Sequence, residues 1–318
     1  METIQEPATL QEAIVYFSSP YRCREYLIAR RWPDGVICPR CGSKKVAYQP
    51  KYNRWQCAAD HDRRQFTLKT GTIFEDSPIG LDKWLAAMWQ VVNCKNGISS
   101  YEVHRAIGVT QKTAWFMDHR IRFALGMPDT EKLSGEVEAD ETFIGGKARN
   151  MHVSKRERRI TGTGGNDKTA VMGLLERGGK VRTKVVSSRK KKELQAEVKK
   201  HVEAGSALYT DALPSYSGLA QDYAHQVVDH AVRYVDGRVH TNGLENFWSC
   251  LKRGISGTYI SVEPFHLFRY LDEQTFRYNH RQGLNDGQRF DVAVRQIVGK
   301  RLTFNQLTGK TESGAWPN

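Results

Sequence analysis

The sequence predicts a multidomain α+β protein, and three observations support this class. The chain has 318 residues, which is enough for two or three domains with ample cores. Cysteines cluster near the N-terminus, and helical periodicity follows them. From about residue 135 the pattern becomes that of β-strands. This order predicts a small metal-stabilised module, then a helical region, then a mixed α/β domain.

Composition restricts the class of partner. The formal net charge is +13, and an excess of this size is typical of proteins that bind a polyanion such as nucleic acid. The sequence has no apolar run of about 18 residues, so we expect no membrane span. The first residues also lack the pattern of a secretory signal. We therefore expect a cytoplasmic, nucleoid-associated protein.

Cysteine spacing near the N-terminus predicts a structural Zn²⁺ site. Two cysteines separated by two residues precede a glycine, which is typical of a zinc knuckle, and a less regular second pair follows. Tetrahedral zinc accepts three thiolates and one imidazole, so the predicted ligands are Cys38, Cys41, Cys57 and His61. Asp60 or Asp62 could replace the histidine as the fourth ligand. The alternative is that the second pair is unrelated and that no metal binds.

Strand-like segments around these ligands predict a zinc ribbon. The ribbon is predicted over residues 35–76, after a helical lead-in over residues 1–34. Its strands are expected at residues 45–49, 54–56 and 65–68. Between residues 38 and 69 the chain has eight Lys or Arg residues against two Asp or Glu residues. One face of the ribbon could therefore lie on a phosphate backbone, or it could simply be solvated.

Residues 80–127 carry the pattern of a helix-turn-helix DNA-binding region. An amphipathic helix over residues 81–94 precedes two helices joined by a turn at Gly108, with Thr110 as the cap of the last helix. The side chains expected to face outward from that helix are Gln111, Lys112, Trp115, His119 and Arg122. They carry donors suited to phosphates or base edges, so we predict DNA contacts for Gln111, Lys112, His119 and Arg122. The same geometry also occurs as plain helix packing.

A mixed α/β domain is predicted over residues 135–285, followed by a C-terminal tail over residues 286–318. Alternation in its first strand places three acidic side chains on one face: Glu136, Glu138 and Asp140. The loop that begins at Lys147 is rich in basic residues and glycine. It could bind DNA or be a disordered surface loop.

Two later elements carry further acidic residues. A short buried strand delivers Asp211 at its carboxyl end. A helix that Asn242 can cap carries Glu245 and, seven residues later, Lys252 on the same face. A mixed sheet with this order of elements can bring Asp140, Asp211 and Glu245 together. The alternative is that Glu245 and Lys252 form only a surface ion pair.

Several motifs resemble those of the ISXO-type (ISXO2-like) insertion-sequence transposases, which are DDE-type enzymes with an RNase H-like core. The resemblance covers roughly residues 15–285. It rests on the knuckle Cys38-Pro39-Arg40-Cys41-Gly42, on Asp140-Glu141-Thr142-Phe143-Ile144-Gly145-Gly146-Lys147, on Tyr209-Thr210-Asp211, and on His240-Thr241-Asn242-Gly243-Leu244-Glu245. The fold expected from it is a zinc ribbon, a helix-turn-helix region and an RNase H-like mixed α/β catalytic domain.

The resemblance implies catalytic metal ligands. Asp140, Asp211 and a third residue would hold Mg²⁺ or Mn²⁺ ions. Some members use an asparagine at the third position, so Asn242 and Glu245 are rivals. We favour Glu245, because a carboxylate neutralises a divalent cation better than an amide does and because Lys252 follows it by seven residues. Asn242 would then cap the helix or orient water. The expected phosphate contacts are Lys252, Arg253 and Lys147.

The resemblance also implies an activity. The expected enzyme binds the terminal inverted repeats of an insertion sequence and catalyses Mg²⁺-dependent cleavage and transfer of DNA strands, without a covalent enzyme–DNA intermediate. Its partners would be double-stranded DNA, both repeats and target, and at least a second copy of the chain on that DNA. The alternatives are an RNase H-like nuclease that does not join strands, and a catalytically inactive DNA-binding regulator.

Overall fold

The structure is a computed structural model that describes residues 6–146, 152–154, 157, 168–228 and 239–310. The chain forms two compact units. Unit 1 comprises Met1–Leu125 and Gly283–Asn318, and unit 2 comprises Gly126–Gln282. Within the described ranges, no helix has both the length and the apolar character needed to cross a membrane.

The described residues contain helices α1 to α10 and strands β1 to β8. The helices are α1 Leu10–Phe17, α2 Pro20–Arg31, α3 Leu81–Asn93, α4 Ser100–Ile107, α5 Gln111–Leu125, α6 Lys191–His201, α7 Asn242–Gly257, α8 Leu267–Asn279, α9 Asp286–Arg295 and α10 Phe304–Leu307. The strands are β1 Val46–Gln49, β2 Arg54–Cys57, β3 Gln65–Phe66, β4 Glu136–Ile144, β5 Thr169–Glu176, β6 Val181–Val186, β7 Ala207–Asp211 and β8 Ala224–Val228.

Unit 1 contains the ribbon, a three-stranded antiparallel sheet in the order β1-β2-β3. The three predicted strands are confirmed, each within about two residues at its ends. Aromatic rings form the ribbon's core. The Trp55 ring stacks on Phe66 at 5.8 Å and meets Trp32 edge-on at 5.6 Å. A core this small gives the ribbon little stability of its own.

Helices α4 and α5 follow the local rules read from the sequence. Ser99 and Glu102 form a capping box at the start of α4, and Gly108 is the C-cap after its last residue, with φ of 62°. Thr110 Oγ1 accepts a hydrogen bond from the Thr113 backbone N–H at 3.2 Å, so the predicted cap of α5 is confirmed. Four apolar side chains at helical spacing on α5 are buried: Ala114, Met117, Ile121 and Ala124.

The C-terminal segment completes unit 1. Phe290 of α9 is fully buried, with its ring centroid 5.6 Å from that of Phe17 and 5.0 Å from that of Trp89. Residues 290 and 17 are far apart in the chain, so this contact leaves no periodic signal in the sequence. The predicted tail therefore contributes to the hydrophobic core of unit 1.

Unit 2 is built on a five-stranded sheet in the order β6-β5-β4-β7-β8. Strands β4, β5 and β6 are antiparallel neighbours, and β4, β7 and β8 are parallel neighbours. Leu194 and Val198 of α6 pack on one face of the sheet with Val137 and Ala139. Helix α7 packs on the other face with its apolar stripe, which consists of Leu244, Phe247, Trp248 and Leu251.

Candidate functional site

The predicted zinc ligands converge in the ribbon. One ligand atom from each of Cys38, Cys41, Cys57 and His61 lies within 4.8 Å of all the others. Cys38 Sγ is 3.5 Å from His61 Nε2, and Cys41 Sγ is 3.6 Å from Cys57 Sγ. The histidine, rather than Asp60 or Asp62, therefore completes the cluster.

These spacings fit tetrahedral zinc. With Zn–S bonds of about 2.3 Å and a Zn–N bond of about 2.0 Å, two sulfurs lie about 3.8 Å apart, and a sulfur and a nitrogen lie about 3.5 Å apart. His61 Nδ1 lies 2.7 Å from the Asp62 carbonyl oxygen, which fixes the tautomer that leaves Nε2 as the ligand atom. Burial of Cys38 acts to raise the pKa of its thiol. Hydrogen bonds from the backbone N–H groups of Arg40 and Cys41 act in the opposite direction, and the pKa falls to about 7. The set supports a structural zinc ion.

Three acidic residues from three elements of unit 2 lie near one another. Strands β4 and β7 are parallel neighbours with Ala139 opposite Thr210, so Asp140 and Asp211 follow at adjacent positions. Glu245 lies in the first turn of α7. The pKa of Asp140 is raised mainly by burial, and the charges of Asp211 and Glu245 raise it further. The Trp248 indole N–H donates to Asp140 Oδ2 at 3.0 Å and fixes this carboxylate.

A fourth carboxylate, Glu141, was not singled out from the sequence. Burial raises the pKa of Glu141 to about 7, and the charges of Asp211 and Asp140 contribute to this shift. The Tyr216 hydroxyl donates to Glu141 Oε1. The sequence did carry a signal for Glu141, which directly follows Asp140 in a predicted strand. A strand that is covered on both faces is normally apolar, so two consecutive acids there indicate a function.

We call Asp140, Glu141, Asp211 and Glu245 the acidic cluster. Among the described residues, only the Cys₃His set brings three or more metal-ligand atoms within 4.8 Å of one another. The carboxylate oxygens of the acidic cluster are thus farther apart than the ligand atoms of the Cys₃His set.

The start of α7 differs from the expectation. The prediction that Asn242 caps this helix is wrong, because Asn242 is its first helical residue and the N-cap is Thr241, which makes no side-chain cap hydrogen bond. The cap comes from the sheet instead. Glu138 Oε2 accepts the backbone N–H of Leu244 at 3.0 Å, and Glu138 is 1% exposed. The sequence pattern could not reveal a cap from a residue more than 100 positions away.

Two further features hold α7 on the sheet. Arg177 Nε donates to Glu138 Oε1 at 2.9 Å, so the buried carboxylate has a counter-charge. A Cβ atom at Gly173 would lie 2.5 Å from the Trp248 ring, and a Cβ atom at Gly243 would lie 2.4 Å from Leu175 Cδ2. Glycine is therefore required at both positions for this close approach.

Replacing Glu138 by Ala is expected to lower the free energy of unfolding by about 3 kcal/mol or more, because Arg177 and the Leu244 N–H would lose a buried partner. Urea denaturation followed by circular dichroism measures this loss. The matched control is Glu136→Ala, two residues earlier on the same strand. Glu136 has a side chain 29% exposed, 3.7 Å from Arg177, and should cost less than about 1 kcal/mol. Equal losses in the two variants would contradict the assignment of the cap.

The residues predicted to contact DNA from α5 have different environments. Lys112 is exposed. Gln111 is half-buried, and its Nε2 donates to Ser100 Oγ at 2.9 Å. The prediction that His119 and Arg122 face outward is wrong, because they are 0% and 2% exposed.

The error at His119 and Arg122 has a physical cause. The second half of α5 is covered on more than one side, so six consecutive residues from Met117 to Arg122 are buried. That half of the helix therefore offers its polar residues no outward face, in contrast to its first turn, where Lys112 is exposed. Arg120 shows how one of them is accommodated, because its guanidinium donates to the Leu302 and Glu75 carbonyls at 2.9 and 2.8 Å.

The remaining predicted phosphate contacts fall in two groups. Lys252 and Arg253 are exposed on α7, away from its apolar stripe. Lys147, with most of the basic loop that it begins, lies outside the described residues.

A Cys₃His ribbon joined to a mixed α/β domain with an acidic cluster defines a multidomain metal-binding protein. Residues 19–62 match the transposase zinc-ribbon domain, and residues 132–279 match the ISXO2-like transposase domain. The chain is also 30% identical, over 252 residues, to a Halobacterium salinarum protein described as an uncharacterized protein in transposable element ISH50. The match covers 76% of this chain and 84% of that protein. The chain belongs to the ISXO2-like family of insertion-sequence transposases with an N-terminal zinc ribbon.

Proposed function

We propose that this chain binds the terminal inverted repeats of an insertion sequence and catalyses Mg²⁺-dependent DNA strand cleavage and strand transfer. The observation that carries the proposal is the approach of Asp140, Asp211 and Glu245 from three separate elements. Carboxylates that repel one another in a partly buried site are costly unless a cation neutralises them. The acidic cluster is therefore suited to a divalent cation.

The donor set fits Mg²⁺ or Mn²⁺, which favour carboxylate oxygens. When bound, the metal would supply Lewis-acid stabilisation of the reacting phosphate and a more acidic water or hydroxyl nucleophile. Asp140 and Asp211, on neighbouring strands, would hold it, with Glu245 from α7 as the third carboxylate. Trp248 orients Asp140 through its indole N–H. Lys252 and Arg253 would hold DNA phosphates beside the cluster.

The strand order supports an RNase H-like assignment for unit 2. The sheet has three antiparallel strands, β4 to β6, continued by the parallel strands β7 and β8, and it has a helix on each face. The acidic cluster lies where the antiparallel and parallel halves meet, since β4 and β7 are neighbours there. Three of its four residues, Asp140, Glu141 and Asp211, are thus held on the sheet.

DNA recognition is assigned to the ribbon and to the helices α4 and α5. The net charge of +13 supports this part of the proposal, as does the exposure of Lys112 at the start of α5. Two element ends must be joined in one reaction, so at least a dimer is expected on DNA.

The proposal is tested by incubating the purified protein with a DNA duplex that carries the terminal repeats of its element. We expect nicking at the repeat end and joining of the freed 3′-hydroxyl to a second duplex, with Mg²⁺ and not with EDTA. Cutting without joining would identify a nuclease instead. Specific binding of the repeats without cutting or joining would identify a regulator.

The third carboxylate can be identified by two alanine variants. Glu245→Ala is expected to reduce joining by at least about a hundredfold, because a carboxylate is lost. Asn242→Ala should stay within about tenfold of wild type. Both residues are exposed in the first turn of α7, so neither change disturbs the apolar stripe. Loss of joining in the Asn242 variant alone would assign the role to the amide.

A further inference from the structure

Four consecutive basic residues lead into helix α6, and we call Arg189–Lys192 the basic segment. All four side chains are exposed. Within the described ranges, no carboxylate lies within 4.0 Å of any of their charged nitrogens. The opposite end of the same helix differs, because Lys199 and Lys200 pair with Asp222 and Asp129 at 2.7 and 2.8 Å.

The basic segment breaks a local rule of helix electrostatics. Lys190 is the N-cap of α6 and makes no side-chain cap hydrogen bond, and Lys191 and Lys192 are its first two helical residues. Cations at a helix N-terminus oppose the macrodipole, at a cost of roughly 0.3–1 kcal/mol each. A local conflict of this kind is expected where function, rather than folding, determines the residue.

The basic segment borders the acidic cluster. The Arg189 guanidinium lies 4.8 Å from the centre of the Phe143 ring, and Phe143 is two residues after Glu141 on β4. The charge of Arg189 interacts with that of Glu141. A polyanion held at the acidic cluster would be repelled by the carboxylates, and cations at their border would offset this repulsion.

The segment is held in place by its neighbours. The Glu193 carboxylate accepts the backbone N–H groups of Ser187 and Ser188 at 2.7 and 2.9 Å. Ser215, in the loop after β7, donates from Oγ to the Arg189 carbonyl at 2.6 Å. Because the backbone is already ordered, a ligand would bind with little further loss of conformational entropy.

We propose that the basic segment binds the sugar-phosphate backbone of duplex DNA beside the acidic cluster. The inference rests on the proposed function, since it extends the path of the DNA from the site of cleavage. Lys191 Nζ lies 3.5 Å from Ser217 Oγ, a weak neutral contact that leaves its charge without a carboxylate partner in the described ranges. Such lysines, with the N–H groups at the start of α6, are suited to successive phosphates. The segment would hold DNA without reading its sequence.

The test compares two double variants of one helix. Lys191→Gln with Lys192→Gln removes two cations that have no carboxylate partner in the part of the chain that the structure describes. Lys199→Gln with Lys200→Gln removes two cations that Asp222 and Asp129 already neutralise. The probe is a fluorescein-labelled duplex of random sequence, titrated at several salt concentrations without divalent metal.

The first double variant is expected to lower the slope of log K against log salt by about 1.8, which is the loss of two phosphate contacts. The fall in affinity between 50 and 200 mM salt should therefore shrink by about tenfold. Its melting temperature should equal or exceed that of wild type, because the conflict with the helix dipole is relieved. The control variant should keep the wild-type slope. Equal slopes in both double variants would overturn the inference.

Two reaction arms identify which DNA the segment holds. Slower nicking of a repeat-end duplex would assign it to the element end, and slower joining of a pre-nicked end alone would assign it to the target. Metal-free binding is measured separately from the chemistry. One outcome would separate the two proposals. If the wild-type chain neither cuts nor joins DNA, but the salt slope falls in the first double variant only, the proposed function is refuted and the basic segment remains a DNA contact.

Discussion

Replacing Asp211 by Asn is expected to reduce strand cleavage and joining by at least about a thousandfold at saturating Mg²⁺. Asparagine has the shape of aspartate but no charge, so the proposed metal would lose a carboxylate. The fold should be unaffected. Asp211 Oδ1 accepts the Leu213 backbone N–H at 3.1 Å, and an amide oxygen can accept the same bond.

Two measurements separate this effect from unfolding. Without metal, Asp211→Asn should melt at or slightly above the wild-type temperature, because one of the mutually repelling charges is removed. Asp222→Asn is the matched control, since Asp222 is an exposed acid of the same unit and is paired with Lys199. That variant should cleave and join at the wild-type rate. Wild-type activity of Asp211→Asn with Mg²⁺ would disprove the metal site.

Replacing Cys57 by Ser is expected to unfold the ribbon. Cys57 is 1% exposed at the end of β2, and the ribbon's aromatic core is too small to hold three short strands without a metal. Zinc binding supplies about 10–16 kcal/mol in small zinc modules, which is far more than the stability of such a core. Bound zinc should fall well below about one equivalent per chain, and proteases should cut between residues 35 and 76.

Cys94→Ser is the control for the loss of zinc. Cys94 is a half-buried cysteine of the same unit outside the Cys₃His set. It should keep the metal and the protease resistance of wild type. The fourth ligand can be checked in the same assay, where His61→Asn should lose zinc and Asp62→Asn should retain it. Full zinc content in Cys57→Ser would exclude the predicted set.

Local features were predictable from the sequence. The cap at Thr110 and the strands of the ribbon depend on residues a few positions apart, so periodicity and turn chemistry suffice to predict them. The approach of Asp140 and Asp211 was predictable because the order of the elements constrains where strands meet. Glu245 was added to them from the helix that follows, and the family resemblance supported that choice.

Long-range packing could not be predicted in the same way. Whether His119 and Arg122 are covered depends on how unit 1 packs around α5, and the helix pattern carries no information about that. Glu138 of β4 caps α7 from a distant position in the chain. A sequence pattern reveals only caps next to the helix, and for this reason it pointed to Asn242. Neither Glu141 nor the basic segment was predicted, because a charged residue in a strand or at a helix start is usually solvated.

Gly173 has a consequence for judging related copies of such an element. The distance of α7 from the sheet, and so the reach of Glu245 towards the two aspartates, depends on a residue with no side chain. A copy with every acidic residue intact but alanine at position 173 would have its α7 displaced by the contact with Trp248. If the acidic cluster is catalytic as proposed, a survey that classifies copies as active by their acids alone would count such displaced copies too, so the glycines at 173 and 243 belong in that criterion.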